Sequence, residues 1–434
     1  MRGKHRKSAP SAPGNDPAGQ TLVAALRHRD FSIYWGGSVV SLVGSQFTTV
    51  AMAWQIYELT NSPLQLGLLG LARGVPMLIL LLFGGMLADA VNRRHLMMVT
   101  QIAQMCVSAS LAIVTLLGGI SPLVLYAASL FLALFSSLEQ PARTAIIPNL
   151  VPRSDLANAL ALSGTQRHVA TIVGPSLAGL LLARSGATLC YAVDAMSWLV
   201  MLAALAMMRP LSQVAGGRDA VSMRALREGV EFVWTHPVIL SMMALDFSQN
   251  FFGSGRALLP VYARDILGVG PQGLGLLYSA TSAGALVMGV VMSVRGPVQR
   301  PGVWVLVSVS IYGVFTALFG ISHFFWLSFV MLAGAGAANT VSFVLRNTIN
   351  QLVTPDEIRG RVTSVNSMFT NTGPQLGQFE AGALAAVIGP VGATALGGLL
   401  VTSIAAGLAA VASVRKFEVH ESPVTVQQNT PARA

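Results

Sequence analysis

The sequence predicts an all-α membrane protein with twelve transmembrane helices in two pseudo-symmetric six-helix bundles. Three observations predict this fold: the composition, the number of long apolar stretches, and a passage that occurs twice. Of the 434 residues, 53% are hydrophobic and only 10% are charged. A soluble domain carries roughly 25% charged residues. The composition therefore favours a chain that lies in a bilayer.

Twelve stretches are long and apolar enough to cross a membrane, which takes about 20 residues each. They cover residues 31–57, 64–88, 96–118, 122–143, 156–183, 187–208, 237–263, 272–294, 301–320, 323–345, 361–387 and 391–414. Six precede the longest polar interruption and six follow it. The predicted units are a tail (1–30), an N-terminal bundle (31–208), a linker (209–236), a C-terminal bundle (237–414) and a second tail (415–434).

The two predicted bundles are related by duplication. Residues 147–156, IPNLVPRSDL, return as residues 349–358, INQLVTPDEI, and an apolar segment with a Gly-Pro pair follows each copy. Internal repeats in a multi-pass membrane protein are typical of transporters. A non-transporting membrane receptor is the alternative from another class. It should carry a sizeable soluble signalling segment, whereas the loops here are short.

The positions of the basic residues predict the orientation of the chain, whose net charge is +10. With a cytoplasmic N-terminus, Arg184 and Arg264 lie outside and Arg73, Arg167 and Arg256 lie within spans, which leaves 22 of the 27 Lys and Arg residues inside. This bias predicts that the linker and both termini are cytoplasmic. It also explains the basic charge without a nucleic-acid partner. No cleaved signal is expected, because the first apolar stretch is too long for a signal peptide.

The linker contains a predicted amphipathic helix. Met223, Leu226, Val230 and Val233 recur at helical spacing, with charged residues between them. Such a helix can lie on the cytoplasmic membrane surface, or it can turn its apolar stripe against the protein. The sequence leaves both alternatives open.

The loop between the second and third stretches carries a specific motif. Residues 85–94 read GMLADAVNRR, which resembles the loop signature of the major facilitator superfamily, G-x-L-A-D-R-x-G-R-R/K. The matching residues are Gly85, Leu87, Ala88, Asp89, Arg93 and Arg94. Ala90 and Asn92 depart from the signature. The resemblance implies the major facilitator fold, with a gating loop in which Asp89 meets the positive N-terminus of the eleventh span and latches the two halves.

The Gly-Pro pair of the fifth stretch, Gly174-Pro175, resembles the antiporter signature of this superfamily, which is associated with exporters. Its copy in the eleventh stretch is Gly373-Pro374. A proline inside a helix removes a backbone hydrogen bond and kinks the helix. The resemblance implies outward transport. A kink that serves packing alone is the alternative.

Nearly the full chain resembles one branch, the enterobactin exporter and macrolide efflux group, through residues 26–31, 58–63, 147–152 and 228–233. The resemblance implies a bacterial inner-membrane protein that exports a small amphipathic molecule such as a siderophore, an antibiotic or a drug, as in multidrug resistance. An importer or a lysolipid flippase would share this architecture. The resemblance implies no enzyme and no cofactor, and the absence of G-x-x-x-x-G-K-S/T argues against an ATPase. We expect a monomeric secondary transporter that works by alternating access and is driven by protons.

Polar side chains inside spans are the candidates for a binding site, because they are costly in a bilayer. The fifth and eleventh spans each carry a polar stripe near mid-depth. The predicted substrate-binding residues are Ser163, Gln166, Arg167, Asn366, Thr370 and Asn371. A structural ion pair is the alternative role for Arg167. The two cysteines, Cys106 and Cys190, lack the spacing of metal ligands, so no metal site is predicted.

Asp246 is the candidate for proton coupling. It lies about nine residues into the seventh span, near mid-depth at ~1.5 Å per residue. An unpaired carboxylate in apolar surroundings favours its protonated form, as proton coupling requires. A carboxylate beside an Arg stays ionised and serves the structure instead.

Further charges lie within the predicted spans, among them Asp194 in the sixth, for which no transport role is expected. Glu139 and Arg143 stand four residues apart near the end of the fourth span, and this spacing predicts a local ion pair. Arg73, Arg256 and Glu380 lie toward the outer half of the membrane. We expect these three residues to form an outer gate.

Overall fold

The computed structural model describes residues 24–90, 92–209, 223–296 and 298–410, and over 81–90 and 223–227 it describes the backbone only. The described chain is helical and contains no strand. Its helices are α1 (Arg29–Thr60), α2 (Pro63–Ala90), α3 (Arg93–Leu116), α4 (Pro122–Ile146), α5 (Leu156–Met207), α6 (Met223–Thr235), α7 (Pro237–Phe251), α8 (Leu259–Val261), α9 (Gly270–Arg295), α10 (Pro301–Gly320), α11 (Phe325–Val353) and α12 (Arg359–Ala409). The predicted tails lie almost entirely outside the described residues.

Two helices are long enough to cross a membrane twice. α5 has 52 residues and α12 has 51, whereas about 20 residues span a bilayer. Each contains a glycine with non-helical dihedral angles near its middle, Gly186 at φ 75° and Gly389 at φ 79°. Positive φ suits glycine. The Cys190 Sγ lies 3.8 Å from the Ala178 carbonyl oxygen, so the chain folds back at Gly186.

The number of crossings agrees with the predicted fold. Within the described residues, nine helices are long and apolar enough to span a membrane, and the bent pair Glu228–Thr235 and Pro237–Ile266 is a further candidate. The nine helices and this further candidate make ten, and counting α5 and α12 twice each gives twelve crossings, the predicted number. The all-α membrane fold is thereby confirmed.

The seventh crossing is less regular than predicted. α7 ends at Phe251, and a 3₁₀ turn (Ser254–Leu258), α8 and a π turn (Tyr262–Ile266) complete the span. Tyr312 of α10 donates a hydrogen bond of 2.8 Å to the Gly253 carbonyl, and a Cβ at Gly253 would lie 2.5 Å from the Tyr312 ring. We predicted an unbroken helix here, because the apolar composition continues through the break.

The linker helix α6 packs against the protein. Val233 is 5% exposed and lies in a cluster with Ile239 of α7 and Val362 of α12. Glu228 forms an ion pair with Arg361 at the start of α12. Val233 thus covers protein, whereas Val230 is exposed, so both arrangements that the sequence left open stay predictions for the stripe as a whole.

The hydrophobic core is shared at one end of the bundle and divided at the other. We call the end with the start of α1 the near face, and the end with residues 57–63 and 262–269 the far face. Toward the far face, one cluster joins both halves, for example Phe47 and Leu277. Toward the near face, Met201 and Met242 lie in separate clusters, one in each half. The halves therefore pack together on the far side and separate on the near side.

Glycines allow the close contacts between the halves. α2 packs on the first part of α12, and α5 packs on α9. A Cβ at Gly382 would lie 2.7 Å from the Cα of Gly67, and one at Gly275 would lie 2.3 Å from the Pro175 carbonyl oxygen. Small residues permit such backbone approach between membrane helices.

Candidate functional site

A cavity of about 360 Å³ lies between the two halves. α1, α2 and α5 line it from the first half, and residues 249–257 with α9, α10, α11 and α12 line it from the second. Small-molecule sites occupy about 300–1,000 Å³. The cavity therefore has the size of a small-molecule site.

Two arginines from different halves reach this cavity. Arg73 of α2 donates its Nε–H to the Ser129 Oγ at 2.9 Å, and the Arg256 Cζ lies 5.2 Å from the centre of the Tyr278 ring. Glu380 is half-buried in α12 and is not among the described residues that line the cavity. Arg73 and Arg256 thus line the central cavity and Glu380 does not, and the outer gate of these three charges stays a prediction.

The far side of the cavity is closed by contacts between the halves. The Tyr57 hydroxyl of α1 donates to the Asp265 carboxylate, and the Arg264 Cζ lies 5.7 Å from the Tyr57 ring centre. Deeper in the bundle, the hydroxyls of Ser176 in α5 and Ser279 in α9 lie 2.8 Å apart. We call Tyr57, Arg264 and Asp265 the far-side clamp.

An ion-pair network stabilises the near part of the first half. The Arg143 Nη2 lies 2.8 Å from the Glu139 Oε1, which confirms the predicted local pair. Gln101 and Gln104 of α3 donate to the same carboxylate at 3.1 and 2.8 Å. The buried charge of Glu139 is thus neutralised and fully hydrogen-bonded within its own half.

Asp246 belongs to a second buried network, in the other half. It is 5% exposed, its Oδ1 lies 2.6 Å from the Arg346 Nη2, and Thr370 donates to its Oδ2 at 2.9 Å. Gln249 accepts from the Arg346 Nη1 at 2.5 Å. The carboxylate therefore has the arginine partner that we described as the structural alternative, and it ties α7 to α11 and α12.

The six predicted substrate-binding residues do not form one surface. Asn366 and Thr370 line a small crevice beside Asp246 and Arg346, and Asn371 is exposed. None of the six is among the described residues that line the central cavity.

The stripe predicted on the fifth span is divided as well. Gln166 is 3% exposed and donates to the Trp35 carbonyl of α1 at 3.0 Å. Ser163 donates to the Ala159 carbonyl of its own helix at 2.8 Å. Arg167 is exposed. Gln166 thus faces α1 and does not share the exposed face of Arg167.

The two arginines of the gating loop cap helices of their own half. Arg93 donates to the Ala145 carbonyl at 3.3 Å, and Arg94 donates to the Ala206 carbonyl at 3.2 Å. Cations at helix C-termini satisfy unpaired carbonyl groups. Asn92 accepts from the backbone N–H of Arg94 and so caps the start of α3. For Gly85 and Asp89 the structure describes the backbone only.

Both Gly-Pro pairs lie inside helices where the chain packs closely. A Cβ at Gly174 would lie 2.6 Å from the Gln46 side chain, and one at Gly373 would lie 3.1 Å from the Asn250 Cβ. Pro175 and Pro374 both line the central cavity. The sequence did not lead us to expect this cavity. A signal for it was present, since Arg73 and Arg256 are charges within predicted spans.

Comparison with known proteins agrees with this architecture. The sequence matches the family described as transmembrane secretion effector over residues 20–432. It is 29% identical over 406 residues to the enterobactin exporter EntS of Shigella boydii, covering 93% of this chain and 96% of that protein. The EntS of an Escherichia coli strain is 28% identical over the same shares.

Solved structures share the fold. A bacterial homologue of the human lysosomal transporter Spinster, in an inward-facing and unoccupied conformation, superposes with a TM-score of 0.66 at 16% identity, over 90% of this chain and 96% of that one. A POT family transporter in complex with 5-aminolevulinic acid gives a TM-score of 0.69 at 12% identity, over 90% and 97%. The chain thus belongs to the transmembrane secretion effector family of the major facilitator superfamily, and it is a multi-pass inner-membrane transporter of small molecules rather than an enzyme.

Proposed function

We propose that the protein exports a small amphipathic molecule by alternating access, with protons as the counter-ion. The central cavity carries this proposal, because it lies between halves whose cores join on the far side and are separate on the near side. The charge bias assigns the near side, and with it both termini, to the cytoplasm. Cargo would therefore enter the cavity from the cytoplasm. The likeness to EntS makes siderophores the first cargo to test.

The transport step reverses the packing of the two halves. Release on the far side requires the far-side clamp to open and the α5–α9 and α2–α12 contacts to loosen. The separate near-side cores then approach each other and close the cytoplasmic path. We propose that Arg167 and Asn371, which are exposed, contact the cargo on its way to the cavity, and that a monomer completes the cycle.

Asp246 is our candidate for coupling this cycle to protons. Its carboxylate links three helices of one half through Arg346 and Thr370. Protonation would remove the negative charge that holds Arg346. Proton binding would thereby loosen the near part of this half, and the cycle would be tied to the proton gradient.

The decisive experiment is uptake into inverted inner-membrane vesicles. Labelled enterobactin and a panel of antibiotics are offered to energised vesicles with and without the protein. We expect uptake of at least one compound, abolished by an uncoupler. Inward transport by whole cells with no uptake into inverted vesicles would favour an importer. Uptake that resists the uncoupler would remove Asp246 from its proposed role.

A lipid flippase of this fold is the second outcome to distinguish. The same vesicles receive a fluorescent lysolipid, and its accessibility to a quencher is followed over time. Movement of the lysolipid without transport of any water-soluble compound would replace export by lipid flipping.

A further inference from the structure

The central cavity contains two cationic side chains contributed by different halves. Arg73 comes from α2, and Arg256 comes from the 3₁₀ turn after α7. Tyr278 of α9 also lines the cavity, and its ring lies 5.2 Å from the Arg256 Cζ. The two positive charges therefore occupy one small space at the interface that must open and close during transport.

The cavity supplies no negative charge to these arginines. Its lining contains no Asp or Glu among the described residues, and neither arginine forms an ion pair with a described carboxylate. Two other arginines inside the bundle, Arg143 and Arg346, each have a carboxylate partner. Arg73 uses its Nε–H for Ser129, and an arginine has five N–H donors. Donors thus remain for a ligand.

An unpaired cation inside a membrane protein is costly. The contact of Arg256 with the Tyr278 ring recovers only a part of this cost, because a cation–π interaction is weaker than an ion pair in a dry site. Two such cations in one cavity also repel each other. A bound anion removes both penalties, so the arrangement selects for negative charge.

We propose that Arg73 and Arg256 together bind an anionic group of the cargo. The chemical class is a small amphipathic anion with a carboxylate, sulfonate or phosphate at one end. Planar guanidinium groups suit such oxyanions. Gln378 offers an amide group to the polar end, and Leu66 and Phe319 offer an apolar surface to the remainder.

This inference rests on the proposed role of the cavity as the cargo site, and it adds a consequence for the cycle. Because each arginine belongs to a different half, their repulsion opposes close approach of the halves around an empty cavity. The anion cancels this repulsion and bridges the halves. Cargo charge thereby becomes a requirement for the transition and not only for affinity.

The test compares two probes that differ in one charge. Dansylglycine carries a carboxylate, and dansylglycinamide carries a neutral amide on the same dye. Binding to the purified full-length protein in detergent is followed by the increase in dansyl fluorescence. We expect the carboxylate to bind about tenfold more tightly than the amide. Equal affinities in the wild-type protein would overturn the proposal without any variant.

Variants then assign the preference to the two arginines. Arg256→Gln and Arg73→Gln should each reduce the preference to about twofold or less, because a neutral side chain no longer compensates the carboxylate. Arg256→Lys should retain most of it. Arg295→Gln removes an exposed arginine that stacks on Trp304 outside the cavity. It serves as the matched control and should leave the preference unchanged.

Equilibrium binding separates this proposal from the exporter assignment. A wild-type preference that survives Arg256→Gln and Arg73→Gln would place the anion elsewhere, whatever the vesicles transport. A charge preference that depends on both arginines, combined with no uptake into inverted vesicles, would retain the anion site and reject export. Thermal unfolding of each variant checks that it is folded. If a Gln variant is not folded, the Arg256→Lys variant is used for the test in its place.

Discussion

Two buried acids show how side-chain partners decide the role of a charge. Asp246 is paired with Arg346, whereas Asp194 accepts hydroxyl hydrogen bonds from Thr48 at 2.7 Å and Ser108 at 2.6 Å and has no ion pair with a described residue. The spacing of Glu139 and Arg143 on one helix made their pair predictable. Asp246 and Arg346 are 100 residues apart, so only the packing of α7 on α11 could reveal their pairing.

The partner of Asp246 leads to a stability prediction. Asp246→Asn leaves Arg346 buried without a counter-ion, and breaking a buried pair costs about 3–5 kcal/mol. Asp194→Asn is the matched control, since it changes an equally buried acid that has no basic partner, and it should cost about 1 kcal/mol. Thermal unfolding in detergent compares the two. Equal losses would show that the pair with Arg346 adds no stability.

A second prediction concerns the far-side clamp. Tyr57→Phe removes the hydroxyl that donates to Asp265 across the halves. A loss of about 1 kcal/mol shifts the equilibrium toward far-side opening roughly fivefold. The measurement is the alkylation rate of a Thr49→Cys side chain in the cavity by an impermeant maleimide, in a Cys106→Ser background.

Tyr126→Phe is the control for the clamp. The Tyr126 hydroxyl also bonds near the far side, but its partner Gln65 belongs to the same half. This variant should leave the alkylation rate unchanged. An equal acceleration by both variants would mean that the clamp has no special role in holding the halves together.

At the scale of elements, the contacts between halves depend on the absence of side chains. Gly179 of α5 and Gly275 of α9 face each other, and a Cβ at Gly179 would lie 2.9 Å from the Gly275 Cα. The Gly-Pro pair at 174–175 stands one turn away. This arrangement supports a packing role for the signature in addition to any kink.

Gly275→Ala should therefore act on the equilibrium between the two states. The added methyl group would lie 2.3 Å from the Pro175 carbonyl oxygen, and overpacking costs about 1–3 kcal/mol. We expect a lower melting temperature and faster alkylation from the far side. Gly289→Ala lies on the same helix in open space and should change neither. A variant Gly275→Ala that behaves like Gly289→Ala would contradict close packing of α5 on α9.

The broken seventh span shows the limit of element prediction. Apolar composition located nearly every crossing to within a few residues, because burial in lipid acts on each segment independently. At this break Tyr312 of another helix bonds to the Gly253 carbonyl. Arg256 follows the break and lines the cavity, a position that the apolar pattern alone does not predict.

At the scale of the whole molecule, alternating access predicts opposite movements at the two faces. Spin labels on Thr144→Cys and Thr348→Cys report the near face, and labels on Asn61→Cys and His323→Cys report the far face. All four positions are exposed and each pair joins the two halves. In the Gly275→Ala protein, pulsed electron paramagnetic resonance should show a shorter near distance and a longer far distance than in the Gly289→Ala protein.

Distances that change in the same direction at both faces would contradict a rocking movement. A change at the far face alone would indicate a local gate in place of rigid halves. Each outcome is read on the full chain in a lipid nanodisc, so it does not depend on the identity of the cargo.

The sequence by itself determined the membrane fold, the duplication and the family, because these follow from local hydrophobicity and from motifs read along the chain. It also located the charges that matter, and it assigned Arg73 and Arg256 to a gate that stays a prediction. Only the tertiary structure decided which charges have partners and which face the cavity. The physical reason is that a charge inside a membrane is defined by its neighbours from other helices, and those neighbours are set by packing between segments that are distant in sequence.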